Sequence, residues 1–151
     1  MEENVEKKEL AINNFANIQT KNVEREVFTT LNDEKVIFNL EDNCDFKVND
    51  CKGERIRVKD VLIKKILKKL KEPVIDEETG EVLKEYETSL VTILIDEQGK
   101  SYVTASKSFG FKFINYINTF GIESIKKGLE IEITERTVKN SNNKALSFVL
   151  V

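Results

Sequence analysis

The chain has 151 residues and a net charge of −3, and 40% of its residues are hydrophobic while 34% are charged. It is long enough for one cooperative core and too charged for a membrane protein, since no apolar run approaches the ~18 residues that span a bilayer. It contains no histidine, which excludes Ser-His-Asp and Cys-His catalysis and removes the commonest transition-metal ligand.

The N-terminal residues 1–22 are polar, and we expect a mobile arm there, followed by one domain over residues 23–151. The first residues, "MEENVEKKEL", are charged where a secretion signal would need an apolar segment, which predicts a cytoplasmic protein. In that reducing compartment, Cys44 and Cys51 are expected to be free thiols.

The first ordered structure is predicted to be β. "REVFTTL" and "KVIFNL" are β-rich runs on either side of the polar turn "NDE". Phe38 shares a face with Val36 and Leu40 and is assigned to the core. Phe28 shares a face with Thr30, so it is a candidate for exposure.

The stretch "KDVLIKKILKKLKEP", residues 59–73, is compatible with two structures. At helical spacing it is a basic amphipathic helix, which would bind a membrane surface or a partner groove. Together with the preceding "GERIRV" it is a strand, with Arg55, Arg57 and Lys59 on one side and Ile56 and Val58 on the other. We favour the strand, extended as a long hairpin through the acidic turn "DEETGE".

Three further elements are predicted towards the C-terminus. "SLVTILID" is apolar on both faces, as in a central strand, and "KSYVTAS" follows it. "SKSFGFKFINYINTFG" predicts a helix with an aromatic core stripe that ends at Gly121. "GLEIEITERTV" and "KALSFVLV" predict a hairpin with Phe148 in the core and Glu130 and Glu132 facing solvent.

The predicted order is strand, strand, strand, helix, strand, strand. This is the order of a mainly β OB-fold, a five-stranded barrel with one helix between the third and fourth strands. A long hairpin between the second and third strands completes the predicted fold.

Charge is strongly segregated along the chain. Residues 52–71 carry nine basic and two acidic side chains, whereas residues 72–98 carry one basic and nine acidic side chains. A local basic segment can bind a polyanion even in an acidic chain, because salt screens charges beyond roughly 8 Å. The six glycines stand apart and form no phosphate loop, and the acidic cluster at 76–81 is typical of a solvated turn. We therefore expect no enzymatic activity, cofactor, metal ion or small-molecule substrate.

The segments "GERIRVKDVLI", "EETGE", "VTILIDEQGKSYVTASKSF" and "EIEITERTVKNSNNKALSFVLV" resemble single-stranded DNA-binding proteins encoded by tailed phages of Gram-positive bacteria. "FTTLNDEKVIFNL" is similar to the first-strand region of that family. The resemblance implies an OB-type replication protein in the host cytoplasm that coats displaced strands and prevents their reannealing. Self-association along the strand is a further expectation.

The DNA-binding residues are predicted from charge and exposure. Single strands need a cationic groove and ring faces for base stacking. On the third strand, Tyr102 and Thr104 alternate with Val103, which predicts that both face solvent. The full predicted set is Arg55, Arg57, Lys59, Tyr102, Thr104, Lys107, Phe28, Arg136 and Lys144.

Two other functions stay open. A protein-interaction module, such as a phage inhibitor of a host factor, would use the acidic surface of residues 72–98. A membrane or helix-groove binder would require residues 60–71 to be helical. Only the DNA-binding hypothesis predicts affinity for oligonucleotides.

Overall fold

The chain is mainly β in the computed structural model, which describes residues 19–20, 23–40, 42–138 and 143–151, with side chains from Arg25 onward. The predicted arm, residues 1–22, lies outside this part except for two residues that form the first strand. The described strands are β1 (Gln19–Thr20), β2 (Val23–Thr29), β3 (Phe46–Lys47), β4 (Arg55–Ile75), β5 (Val82–Asp96), β6 (Ser101–Thr104), β7 (Leu129–Thr137) and β8 (Lys144–Leu150).

In the described part of the chain, three α-helices lie between these strands: α1 (Glu34–Leu40), α2 (Lys107–Phe120) and α3 (Ile122–Lys126). A 3₁₀ turn over Val48–Cys51 leads towards β4. Within the described residues, no helix is long and apolar enough to cross a membrane.

The strands form an open sheet, so the predicted closed five-stranded barrel with one helix is wrong. The order is β1-β2-β4-β5-β6-β3, and β7 pairs with both β4 and β8. Closure would need a partner for the outer edge of β8. In the described chain that edge is occupied by side chains of α2, because Ser108 Oγ donates to the Leu146 carbonyl at 3.3 Å and Lys112 Nζ donates to the Phe148 carbonyl.

The disputed stretch 59–73 is a strand, as favoured from the sequence, and the helix interpretation is wrong. It lies within β4, which is adjacent to β2, β5 and β7. Three consecutive residues, Val61, Leu62 and Ile63, are at most 3% exposed, as expected where both faces of a strand are covered. The long hairpin is also confirmed, since β4 leads into β5 through a turn closed by Asp76, whose amide donates to the Glu81 carbonyl at 2.8 Å.

The run "KVIFNL" was predicted as β and is instead helix α1. The Asp33 side chain caps it, because its Oδ1 accepts from the Lys35 amide at 2.9 Å. Only Ile37 of this helix is buried. Phe38 is 77% exposed, so its assignment to the core is wrong. The strand prediction for this run failed because the Asp33 cap favours a helix more than the β-rich composition favours a strand.

The predicted aromatic helix is confirmed as α2. Ser106 is its N-cap, with Oγ accepting from the Phe109 amide at 3.3 Å, and Gly121 ends it at φ 85°. Phe109 and Phe113 pack on Phe148, with ring centroids 5.1 and 5.5 Å apart, and all three are at most 1% exposed. The last aromatic residue of the stripe, Phe120, is an exception and is 57% exposed.

The chain divides into two compact units. The described residues of the smaller unit lie within Met1–Phe28 and Lys64–Leu90, and those of the larger unit lie within Thr29–Ile63 and Val91–Val151. The aromatic core of α2 and β8 belongs to the larger unit. The single domain over 23–151 stays a prediction.

Candidate nucleic-acid interface

The basic row at the start of β4 has the predicted alternation. Arg55 and Arg57 are exposed and Lys59 is half-buried, whereas Ile56 is 3% exposed and Val58 is fully buried. The strand therefore turns its cationic side chains away from the core of the larger unit.

Glutamates lie directly opposite this row, a pairing that the alternation along β4 alone does not predict. In the antiparallel register of β4 and β7, Arg55 pairs with Glu132 and Arg57 pairs with Glu130. Arg55 Nε lies 3.6 Å from Glu132 Oε1. Arg57 Nε lies 3.4 Å from Glu97 Oε2. Glu132 and Glu97 thus share a surface with the arginines and partly neutralise them.

An aromatic pair lies on the neighbouring strands β3 and β6. The rings of Phe46 and Tyr102 are stacked, with centroids 5.2 Å apart and planes inclined by 28°. The two residues are direct partners in the parallel register of these strands. Phe46 is 46% exposed and Tyr102 is half-buried, so part of the pair's surface is open to solvent.

A hydrogen-bonded clamp holds β3 against β6. The Asp45 amide donates to Ser101 Oγ at 3.1 Å, and the Ser101 amide donates to Asp45 Oδ2 at 2.9 Å. The Ser101 amide is the main reason why the pKa of Asp45 is lowered from its ordinary value. The clamp fixes the residue immediately before Phe46 and the residue immediately before Tyr102, and therefore the position of the aromatic pair.

The Tyr102 hydroxyl is also fixed. It donates to Asp96 Oδ2 at 2.9 Å. Burial, followed by the hydrogen bond and the negative charge of Asp96, raises the pKa of Tyr102 to about 12. The ring is therefore held by its polar end, which leaves the π-system as the part able to contact a ligand.

Thr104 does not face solvent as predicted. It is 5% exposed, and its Oγ1 accepts from the Ser106 amide at 3.1 Å, so it supports the entry into α2. Lys107, the first residue of that helix, is exposed. The period-two alternation failed at Thr104 because the strand ends there.

Arg136 and Lys144 are exposed at the distal ends of β7 and β8. Lys112 of α2 lies near Arg136. Burial, and secondarily the charge of Arg136, lowers the pKa of Lys112. Lys144 lies close enough to Glu135 to contribute to the lowered pKa of that carboxylate, although Lys52 is its main cause. These cations form a group distinct from the row on β4.

Phe28 belongs to the smaller unit, where it is half-buried beside Val27, which is 9% exposed. Phe46, by contrast, is not among the residues predicted to bind DNA. Its ring stacks on that of Tyr102. Phe46 sits in the loop "EDNCDFKVND", which has no period from which exposure or partners can be read.

The surface beside Phe46 is a shallow depression lined by Lys47 and Val103 and by the acidic Asp42, Asp45 and Asp50. In the part of the chain that the structure describes, no three His, Cys, Asp or Glu residues are grouped so that they could hold a metal ion. Cys44 and Cys51 are free thiols, as predicted.

The chain matches no protein-family model, and comparisons with curated proteins and with solved structures gave no match either. The resemblance to phage single-stranded DNA-binding proteins therefore stays a prediction.

Proposed function

We propose that the protein binds single-stranded DNA without sequence specificity and coats displaced strands during phage DNA replication in the host cytoplasm. The observation that carries this proposal is the half-exposed stack of Phe46 on Tyr102. It acts as a binding protein rather than as an enzyme. The sequence resemblance supplies the biological setting, and the aromatic pair supplies the physical means.

A stacked aromatic pair on a sheet is suited to nucleobases. Each base has a π-face, so stacking on a protein ring is tolerant of sequence and contributes about 1–3 kcal/mol per base. The Asp45–Ser101 clamp and the Tyr102–Asp96 hydrogen bond hold both rings before a ligand arrives. Binding therefore costs little additional side-chain entropy.

Phosphate contacts in this proposal come from a partly neutralised surface. Arg55 and Arg57 each have a carboxylate within 3.6 Å, so a phosphate competes with Glu132 and Glu97 for them. Lys47 lies beside Phe46 in the same depression. Lys107, Arg136 and Lys144 add exposed positive charge elsewhere on the larger unit. Because the arginines exchange one anion for another, we expect moderate affinity that weakens as the salt concentration rises.

The test is a titration of a fluorescent oligothymidylate by the protein, repeated with a duplex of equal length. We expect binding to the single strand and weaker binding to the duplex, because paired bases are not available for stacking. Phe46→Ala should cost about 1–3 kcal/mol of single-strand affinity. Tyr102→Phe keeps the ring and should cost less than Phe46→Ala.

Phe38→Ala is the matched control, since Phe38 is more exposed than Phe46 but lies on α1. It should leave the affinity unchanged. Duplex binding as tight as single-strand binding would refute the proposal. Equal losses from Phe38→Ala and Phe46→Ala would show that the aromatic pair has no special role.

A second candidate function is supported by the exposed apolar side chains in the acidic segment 72–98. Val82 and Leu83 are 56% and 62% exposed there. A module that binds a host protein through this surface would show no affinity for oligothymidylate. The membrane or helix-groove alternative has lost its basis, because residues 60–71 are a strand.

A further inference from the structure

The hairpin of the smaller unit, residues 64–90, exposes an unusual amount of apolar surface near its turn. Large apolar side chains on both strands are roughly half exposed or more, which exceeds the scattered exposure of a solvated hairpin. They are Val74 at 48%, Ile75 at 51%, Val82 at 56%, Leu83 at 62% and Tyr86 at 45%.

Positive and negative charges are separated along the length of this hairpin. Five lysines lie in residues 64–71, whereas six of the seven charged residues in 76–90 are acidic. An ion pair across the strands of this hairpin joins Lys69 Nζ and Glu85 Oε1 at 3.9 Å. The apolar side chains therefore lie at the acidic end, and the basic end is separated from it along the strand.

We propose that this hairpin is a self-association surface that docks on the same hairpin of a second copy of the chain. The two hairpins lie antiparallel about a two-fold axis, so that the acidic turn of each copy meets the lysines of the other. Because neighbouring residues of a strand point to opposite faces, the apolar side chains beside the turn that lie on the docked face are covered between the two copies.

Charge complementarity is what identifies a second copy as the partner. A two-fold interface brings the same patch of both copies together, so it must be complementary to itself. A hairpin with a basic end and an acidic end satisfies this condition when the two copies run in opposite directions. Residues 64–90 contain six lysines and seven acidic residues, so two copies meet without large net repulsion.

Nucleic acid does not fit this surface equally well. A phosphate backbone would be attracted to the lysines of residues 64–71 but repelled by the acidic turn that carries the exposed apolar residues. A second copy accounts for both halves of the hairpin. The inference concerns the protein without DNA and does not depend on the proposed function.

The test measures oligomeric state by sedimentation velocity over a range of concentrations, without nucleic acid. Two charge-reversed variants are compared with the wild type: Glu77→Lys/Glu78→Lys in the turn, and Lys68→Glu/Lys71→Glu in the basic end. All four residues are exposed. Lys68 and Lys71 lie on opposite faces of the strand, so this variant changes whichever face is buried.

The wild type should dimerise, and each variant alone should dimerise at least about tenfold more weakly, because like charges then face each other. An equimolar mixture of the two variants should restore the dimer, since the charge-reversed turn of one variant then meets the charge-reversed basic end of the other. Lys126→Glu/Lys127→Glu, an equal charge change on exposed residues in and after α3, should leave the dimer intact.

Circular dichroism of each variant checks that it is folded. A wild type that stays monomeric at every concentration would overturn the proposal. So would variants that dimerise as well as the wild type, or a mixture that fails to restore the dimer although both variants are folded.

Discussion

The larger unit contains two clusters of aromatic side chains that differ in how far they are exposed to solvent. Phe109, Phe113 and Phe148 are at most 1% exposed and join α2 to β8. Phe46 and Tyr102 stack on β3 and β6 and stay partly open to solvent. The first cluster is stabilised by burial, whereas hydrogen bonds of neighbouring polar groups position the second. An aromatic residue is thus buried in the core or left partly open to solvent according to what surrounds it.

The largest effect that separates the clusters should come from Phe148→Ala. Loss of a buried phenyl ring costs about 3–5 kcal/mol of unfolding free energy, because a cavity remains between Phe109 and Phe113. Urea denaturation of the variant and the wild type measures this difference in unfolding free energy. Phe111→Ala, at a residue of α2 that is 49% exposed, is the matched control and should stay within about 0.5 kcal/mol of wild type. Similar losses for both variants would mean that this cluster is not the core.

A smaller effect is expected from a triple variant in which Arg55, Arg57 and Lys59 are replaced by Gln. This variant removes the positive charges of the basic row on β4. If all three contact phosphate, the slope of log affinity against log salt should fall by about 2, since each contact contributes about 0.7. Folding should persist because Arg55 and Arg57 are exposed and Lys59 is only half-buried. Oligothymidylate titrations at several salt concentrations give the slope.

The matched control for that variant is Lys68→Gln/Lys69→Gln/Lys71→Gln, further along the same strand. It should lower the slope less. An equal change in both triple variants would mean that only the diffuse positive field matters. An unchanged slope in the first variant would mean that the glutamates opposite the arginines keep them from phosphate.

A smaller effect of opposite sign is expected from Glu132→Gln. Its carboxylate lies 3.6 Å from Arg55, where it competes with a phosphate. Its removal should strengthen single-strand binding, by about 0.5 kcal/mol, the scale of an exposed ion pair. Glu123→Gln, on α3, removes an exposed charge elsewhere and should have less effect. Weaker binding by Glu132→Gln would indicate that the glutamate orients Arg55 for its ligand.

The smallest effect is a pH dependence of the stability that the Asp45–Ser101 clamp contributes beside the aromatic pair. The pKa of Asp45 is lowered from 3.8, chiefly by the Ser101 amide, so the folded protein binds fewer protons at this group than the unfolded chain. Its stabilisation is therefore complete above about pH 4 and is lost as the pH falls through the folded pKa. The stability difference between wild type and Asp45→Asn, from urea midpoints, should shrink below pH 4. A difference independent of pH would contradict this role.

The sequence predicted well where a regular period coincided with burial. The stripe of α2 and the covered strand at residues 61–63 are of this kind. It failed at α1, where the single carboxylate of Asp33 begins a helix in a β-rich run. It also failed for barrel closure, because the hydrogen bonds from α2 to the edge of β8 are tertiary contacts without a sequence period.

The candidate site was harder to predict for a related reason. The alternation on β4 correctly indicated that Arg55 and Arg57 are exposed, but register alone determines that Glu132 and Glu130 lie opposite them. Phe46 meets Tyr102 through a two-residue parallel strand, which is too short to leave a pattern. Residues far apart in the chain are brought together by pairings that neither segment reveals by itself.

Photochemical crosslinking tests most directly whether the aromatic pair of Phe46 and Tyr102 contacts DNA bases. A single-stranded oligonucleotide containing 5-bromodeoxyuridine is bound to the wild-type protein and irradiated, and the crosslinked peptides are identified by mass spectrometry. We expect crosslinks at Phe46 or Tyr102, and their loss when unlabelled single strand, but not duplex, is added in excess. Crosslinks confined to residues 64–71, with none at the aromatic pair, would contradict base stacking at Phe46 and Tyr102.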